Sequence, residues 1–289
     1  MKWLALLAVW IFIWAVAACG SIGAQAHTLS LGFKVGDTYK YKLHVTSKQT
    51  ASMTGMSIPI TLDMAANESV KVKSVDSSGV ADLSLTLSGF TLKETTGGVT
   101  NTTTGVPDES LDIEVRADGT LVSINGMNVS GGNPLSALPG ISGGFFVAAV
   151  LPDHAVKAGD TWSKTYDQSF MDLAGKLHVV SNSKYLRDET VNGVNAAVVE
   201  TKSTGSIDMT PASGAASSPV STFSVKGTFT ADVTTWVDTN GHRVIKSHAT
   251  GHDDVTIALP TMSTTANASP MMQGPITTTG DSTTDLNPA

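Results

Sequence analysis

Apolar and polar residues alternate along most of this chain, which is the pattern of β strands that bury one face. The clearest example runs from Ala81 to Ser88, where every second residue is apolar and the residues between are Asp, Ser or Thr. A similar alternation begins at Tyr39 and continues to Val45. Further strands are predicted at Leu62–Val75, Ala81–Leu92 and Leu111–Arg116 in the first half of the chain, and at Leu173–Asn182, Ala196–Ser206, Phe223–Asp238 and Arg243–Thr250 in the second half.

Three segments of the first half recur in the second half in the same order. They are Lys34–Tyr39 with Lys157–Trp162, Val75–Ala81 with Thr190–Ala196, and Val115–Thr120 with Val237–His242. Gly36 and Gly159 are 123 positions apart, and Gly119 and Gly241 are 122 apart. This period is too long for a solenoid repeat of 20–50 residues. We therefore expect two homologous β halves.

The repeated segments have the residues of turns. Gly followed by Asp at the start of an alternating run suits a turn that enters a strand, because Gly tolerates an unusual φ and Asp can bond its own backbone. Asp118-Gly119 and Asn240-Gly241, each between alternating apolar residues, predict tight hairpins.

The stretch between the halves, Gly131–Pro152, has a different pattern. Its apolar residues recur every three or four positions, as on one face of a helix, but Pro139 and several glycines interrupt it. We expect a short broken helix that fills the core or, alternatively, covers a cavity as a lid. The speculative ligand-binding residues of this segment are Leu135, Leu138, Ile141, Phe145 and Phe146.

At the N-terminus, Lys2 precedes sixteen consecutive apolar residues, followed by Cys19. A basic start, an apolar run and small residues before a cut are the parts of a secretory signal peptide. The run is shorter than the roughly 20 residues needed to cross a bilayer core, so an uncleaved anchor is not expected. Cys19 is the only cysteine, which leaves no partner for an intramolecular disulfide.

The string Val16-Ala17-Ala18-Cys19-Gly20 resembles the lipobox of bacterial lipoproteins. The resemblance implies that Cys19 is diacylated on sulfur, with palmitate-type chains, and becomes the new N-terminus. The protein is then extracytoplasmic and lipid-anchored to the cell membrane or outer membrane. Ala24-Gln25-Ala26 is a competing cleavage site that would discard Cys19, so secretion to the periplasm or medium stays open.

These patterns together predict an all-β fold, or a β-rich α+β fold. Two homologous antiparallel halves would form a curved sheet, a half-barrel or a sandwich, with a short helical segment between them. The expected divisions are a signal peptide (1–18), a tether (19–30), a first β half (31–130), a linker with a short broken helix (131–152), a second β half (153–260) and a Thr/Ser/Pro-rich flexible tail (261–289), in which Ile276–Thr279 could add an edge strand.

The charge balance excludes one class of partner. Asp and Glu number 25 against 18 Lys and Arg, a net charge of −7, and no run of five like charges occurs. A nucleic-acid binder carries a basic surface, so nucleic acid is not an expected partner. No P-loop, dinucleotide fingerprint, C-x-x-C or H-E-x-x-H motif is present, and no cofactor is expected.

The remaining chemical motifs have simpler structural explanations. Gly140–Gly144 fits G-x-S-x-G, but a nucleophilic Ser142 would need a strand before it and a helix after it, in a parallel sheet. The repeated Asp37 and Asp160 are explained as turn residues. His248 and His252 are the weak candidates for a metal site, and solvated polar residues at a sheet end are the commoner case. We therefore expect neither a catalytic nor a metal site.

The export signal, the Gly-Asp-Thr-aromatic strand start and its second copy after Leu151-Pro152 resemble an uncharacterised family of bacterial lipoproteins and secreted β proteins. In shape alone, a tethered protein with a duplicated curved sheet is similar to the half-barrel lipid carriers of the lipoprotein-sorting and mycobacterial glycolipid-carrier type. The resemblance implies a non-enzymatic module that binds a lipid, another apolar ligand or an envelope partner. The alternatives are a structural or scaffolding protein without ligand, and a hydrolase or metal-dependent enzyme.

Overall fold

The computed structural model describes residues 26–53, 55–128, 150–169, 173–211, 224–258 and 275–289. Within these ranges the chain forms β strands and contains no helix. The strands are β1 (Thr38–Met53), β2 (Met56–Val75), β3 (Ala81–Thr96), β4 (Val99–Thr104), β5 (Glu109–Val115), β6 (Leu121–Ile124), β7 (Met127–Asn128), β8 (Thr161–Ser169), β9 (Leu173–Val191), β10 (Val194–Pro211), β11 (Ser224–Asp238), β12 (Val244–Ala258) and β13 (Ile276–Pro288). The expected broken helix falls almost wholly outside the described residues.

All thirteen strands belong to one antiparallel sheet, as the alternating pattern predicts. Its order is β7-β6-β5-β3-β2-β1-β13-β12-β11-β10-β9-β8, and β4 pairs with β3 beside β5. The sheet is open and curved. Its curvature brings Lys164 of the edge strand β8 to Asp118 in the turn between β5 and β6, and Lys164 donates a hydrogen bond to this aspartate. The all-β curved sheet is thus confirmed.

The internal repeat corresponds to a repeated hydrogen-bonded turn. Gly36 N–H donates to Val72 O (3.0 Å), and Val72 N–H donates back to Asp37 O (2.9 Å). In the second half, Gly159 N–H donates to Tyr185 O (2.7 Å), and Tyr185 N–H donates to Asp160 O (3.0 Å). Gly36 and Gly159 have φ values of 93° and 99°, which only glycine adopts easily. The strand sequence β1-β2-β3-β5-β6 is repeated by β8-β9-β10-β11-β12.

The C-terminal strand β13 corrects the expectation of a flexible tail. Ile276–Pro288 pairs with β1 along one edge and with β12 along the other, so it joins the two halves at the centre of the sheet. Its residues are mostly Thr, Ser and Asp, so no apolar alternation predicts this strand. Threonine nevertheless favours strands, and the small side chains of Gly280, Ser282 and Thr284 fit the buried face.

The segment before β1 corrects the expected tether. Leu29 and Leu31 are buried in the core, and His27 pairs with Val156 of the second half. Leu31 N–H donates to Ala117 O (2.6 Å), and Gly32 N–H donates to His242 O (2.6 Å). This N-terminal segment therefore binds both copies of the repeated hairpin turn, and within the expected tether the described residues are paired with the sheet from His27 onwards.

The main core lies at this end of the sheet, which we call the closed end. It contains Leu29 and Leu31 together with inward-facing residues of both halves, such as Leu43, Leu83 and Val199. Long strands such as β1 and β2 alternate between an inner face that includes this core and an outer face towards solvent.

Candidate functional site

An apolar strip crosses the inner face at the end of the strands opposite the core. Met53, Ile276, Ile257, Val225 and Met209 are cross-strand partners in one continuous row over five strands. Four strand spacings make the row about 19 Å long. The strip continues beside it at Ile58, Ile60, Leu62, Leu92 and Val255. All ten side chains are half-buried, and none packs in either core cluster.

The apolar character of the strip belongs to one face only. The neighbouring row on the outer face is Ser52, Thr277, Thr256, Lys226 and Asp208, which are also cross-strand partners. Lys226 and Asp208 form an exposed ion pair with Nζ and Oδ2 3.2 Å apart. Contiguous apolar surface that is not covered by a core is the usual mark of a binding site.

Asp253 on β12 lies on the inner face two residues from the strip residue Val255. Its side chain is buried, and Gln49 Nε2 on β1 donates to its Oδ1 across 3.4 Å. Gln49 reaches over β13 because the residue between them is Gly280, where a Cβ would lie only 2.6 Å from Gln49 Cγ. Burial raises the pKa of Asp253. In the described part of the chain, Gln49 is its single hydrogen-bond partner.

An aromatic ring lies on the other side of Asp253. Phe229 of β11 is its cross-strand partner and is buried. The ring is folded over Gly205 of β10, where a Cβ would be 2.1 Å from Phe229 Cζ. Two glycines therefore allow two side chains, Gln49 and Phe229, to lie along the sheet on either side of one carboxyl group.

The inner face is poor in cations. Among the described strands, Lys164 is the one lysine or arginine on that face, and it is bonded to Asp118. Carboxyl groups on this face of the described strands include Glu68, Glu94 and Asp253. The strip is therefore flanked by the acids Glu94 and Asp253, with no unpaired lysine or arginine on this face of the described strands.

Glu68 is the most deeply buried of these acids. It is 1% exposed, and neither carboxyl oxygen has a hydrogen-bond partner. Its cross-strand neighbours are Tyr41, whose hydroxyl donates to Val244 O, and Leu87. Burial without a partner raises the pKa of Glu68 to about 8, so it is protonated at neutral pH.

The two histidines considered for a metal site lie on the outer face and have separate partners. His248 Nδ1 is 2.7 Å from Asp285 Oδ1, and His252 Nδ1 is 2.8 Å from Asp281 Oδ1. Four strand residues separate their Cα atoms by about 13 Å, which is too far to share one ion. The hydrogen bond with Asp281 raises the pKa of His252. No group of three metal-ligating side chains occurs in the described ranges.

The outer face also carries further His–Asp pairs that were not predicted from the sequence. His44 Nε2 is 2.9 Å from Asp63 Oδ1, and His178 Nδ1 is 2.8 Å from Asp167 Oδ1. The members of each pair lie on adjacent strands. The first pair is 19 residues apart in sequence and the second pair 11. Strand register brings them together, and register is hard to predict from one sequence.

The other sites from the sequence analysis lie outside the described residues. Cys19 is among them, as are Ser142 and the speculative ligand-binding set Leu135, Leu138, Ile141, Phe145 and Phe146. Asp37 and Asp160 are in the described part, in the repeated turns; Asp160 Oδ2 accepts from Lys157 N–H (2.9 Å).

A small cleft opens at the closed end between Tyr39, Tyr41, Arg243 and Pro288. Its volume is about 140 Å³. Sites for small molecules usually measure about 300–1,000 Å³. The inner-face strip, with its continuous apolar row, is therefore the stronger candidate site.

Comparison with known proteins adds little to this geometry. No family model and no curated protein matches the chain. Among solved structures, the chain is similar to the crystal structure of Pseudomonas aeruginosa OpdQ, with 6% identity over 87% of this chain and 98% of that chain. The TM-score is 0.22, and a likeness at that level carries no argument about fold or function. The described residues include no helix long and apolar enough to span a membrane.

Proposed function

We propose that this protein is an exported, membrane-anchored binding module that holds an apolar ligand on the inner face of its sheet. The observation that carries the proposal is the row Met53, Ile276, Ile257, Val225 and Met209, half-buried outside both core clusters. Covering such surface is favourable by about 25 cal/mol per Å². The row of about 19 Å suits an extended acyl chain or a ligand of similar length.

This ligand site lies on the strands and not on the segment between the two halves. Leu135 to Phe146 lies outside the described residues, whereas the strip is formed by seven described strands. An interior filled by side chains would argue against a ligand. The closed end is filled in this way by the main core, but the strip at the other end lies outside that core.

The anchor in this proposal is a lipidated Cys19. His27 is paired with Val156, and seven residues lie between His27 and the cysteine in sequence. Seven extended residues span at most about 25 Å. The N-terminal segment enters at the closed end, and β1 extends for 16 residues, about 53 Å, towards the strip. An anchored protein would hold its closed end near the membrane and its ligand site away from it.

Binding is tested with a fluorescent acyl probe such as cis-parinaric acid methyl ester. We expect Ile60→Gln to weaken probe binding severalfold, because an amide replaces apolar surface in the strip. The matched control is Thr61→Gln, one residue away on the exposed outer face. Equal affinity in both variants and the parent, or no probe binding at all, would contradict a ligand site on this strip.

Anchoring is tested with Cys19→Ala. We expect the protein to move from the membrane fraction to the soluble fraction, because the acyl chains have lost their attachment. The control is Ala26→Tyr, which blocks the competing Ala24-Gln25-Ala26 cut and leaves Cys19 in place. An unacylated N-terminus at residue 27 by intact-mass measurement of the parent protein would show simple secretion instead.

A scaffolding role is the second candidate, favoured by β4. This strand pairs on one side only, with β3, and all six of its residues are exposed, including Val99 at 64%. An exposed strand edge can pair with another chain. Scaffolding predicts a protein whose partner contacts survive changes in the strip but not proline substitutions in β4.

A further inference from the structure

Asp253, on the inner face, is a buried acid with few partners. A buried carboxylate in a protein is normally paired with a cation or with several hydrogen-bond donors. Asp253 has one donor, Gln49, at the long distance of 3.4 Å, and no lysine, arginine or histidine of the described residues forms an ion pair with it. The histidine next to it in sequence, His252, lies on the outer face and is engaged by Asp281.

Asp253 also lies close to the apolar strip along the same strand. Along the inner face of β12 the order is Asp253, Val255, Ile257, with steps of about 6.6 Å. The carboxyl group therefore lies about 13 Å from the continuous apolar row. Phe229 is its cross-strand neighbour and adds an aromatic ring, a favourable neighbour for a cation. An acid beside the middle of an apolar row, with Val255 between them, has the arrangement of a site for an amphiphile.

Buried serine side chains lie in the same part of the inner face. Ser47 on β1 lies one inner-face position from Gln49, is buried, and its hydroxyl has no hydrogen-bond partner. Its cross-strand partner on β13, Ser282, is also buried. Unsatisfied polar groups of this kind call for an explanation, and a polar ligand group beside them supplies one.

We propose, resting on the function proposed above, that the ligand is a cationic amphiphile whose ammonium group binds between Asp253 and Phe229 while its chain covers the apolar strip. The sign of the charge follows from the inner face itself. Its acids Glu94 and Asp253 flank the strip, and its one lysine, Lys164, is already bonded to Asp118. An anionic headgroup would meet like charge there, at a cost.

The test compares three probes of one chain length, dodecylamine, dodecanol and dodecanoate, by displacement of the fluorescent methyl ester at pH 7.5. In the parent protein we expect the amine to bind about tenfold or more tighter than the alcohol, as a charge-assisted hydrogen bond allows. The carboxylate should bind weakest. Dodecanoate as the tightest ligand, or an amine no better than the alcohol, would overturn the proposal.

Two neighbouring aspartates supply the matched variants. Asp253→Asn should remove the advantage of the amine over the alcohol. Asp254→Asn removes the same charge from the exposed outer face one residue away and should leave the advantage intact. Equal loss in both would mean that general charge, not a site at Asp253, attracts the amine. If none of the three probes binds the parent, the strip itself is not a ligand site.

Discussion

Glu68→Met is expected to raise the melting temperature by roughly 8–20 °C more at pH 8 than at pH 4.5. The reason is that Glu68 is 1% exposed with no partner for either oxygen, and its pKa in the folded protein is about 8. A methionine of similar length fills the same space without a polar group to desolvate.

The direction of the pH effect follows from the two pKa values. Below the ordinary pKa of 4.5, Glu68 is protonated in both states and contributes nothing to the pH dependence. Between pH 4.5 and about 8, the unfolded chain loses this proton while the folded protein keeps it, so stability falls by about 1.36 kcal/mol per pH unit. The full cost of roughly 4–5 kcal/mol is reached near pH 8. The melting temperature changes by about 2–4 °C per kcal/mol, so this cost corresponds to the expected difference in melting temperature between the two pH values.

The measurement is thermal unfolding by circular dichroism at several pH values. Glu68→Gln serves as the control, since it removes the titration but keeps a buried polar group; it should flatten the pH dependence with a smaller gain in stability. An equal gain for Glu68→Met at pH 4.5 and pH 8 would show that packing, and not the proton, accounts for the effect.

Leu29→Ala is expected to lower the free energy of unfolding by about 2–5 kcal/mol, the usual cost of truncating a buried leucine. Leu29 is 2% exposed and belongs to the segment that is bonded to turns of both halves. Loss of its packing therefore weakens the contact of each half with the N-terminal segment. The melting temperature should fall by roughly 4–20 °C.

The control for Leu29→Ala is Val35→Ala in the same region, because Val35 is 60% exposed and its truncation should change stability very little. The measurement is the free energy of unfolding by denaturant for the two variants and the parent protein. A Leu29→Ala variant as stable as Val35→Ala would mean that residues 27–31 act as a tether after all, and that the sheet folds without them.

Much of the sheet could be predicted because its signal is local. The alternation at Ala81–Leu87 and Tyr39–Val45 depends only on neighbouring residues, and β3 and β1 form there. The repeated Gly-Asp turns were also visible, since a glycine with φ near 95° is needed wherever this turn occurs.

The candidate site could not be predicted in the same way. Met53, Ile276 and Met209 are distant in sequence and become one row only through the registers of four strand pairs. Asp253 and His252 are neighbours in sequence, yet their side chains lie on opposite faces. The period of two along a strand separates them, and only the sheet shows which face is covered.

The sequence by itself determined that this chain forms strands, that its two halves repeat, and where the repeated turns lie, because backbone propensity and apolar alternation act over a few residues. The tertiary structure decided what those strands build. It placed the Thr-rich segment Ile276–Pro288 between the halves and the segment from His27 in the core. It also left one apolar row outside the core. These outcomes depend on pairing between residues distant along the chain, which local preference does not specify.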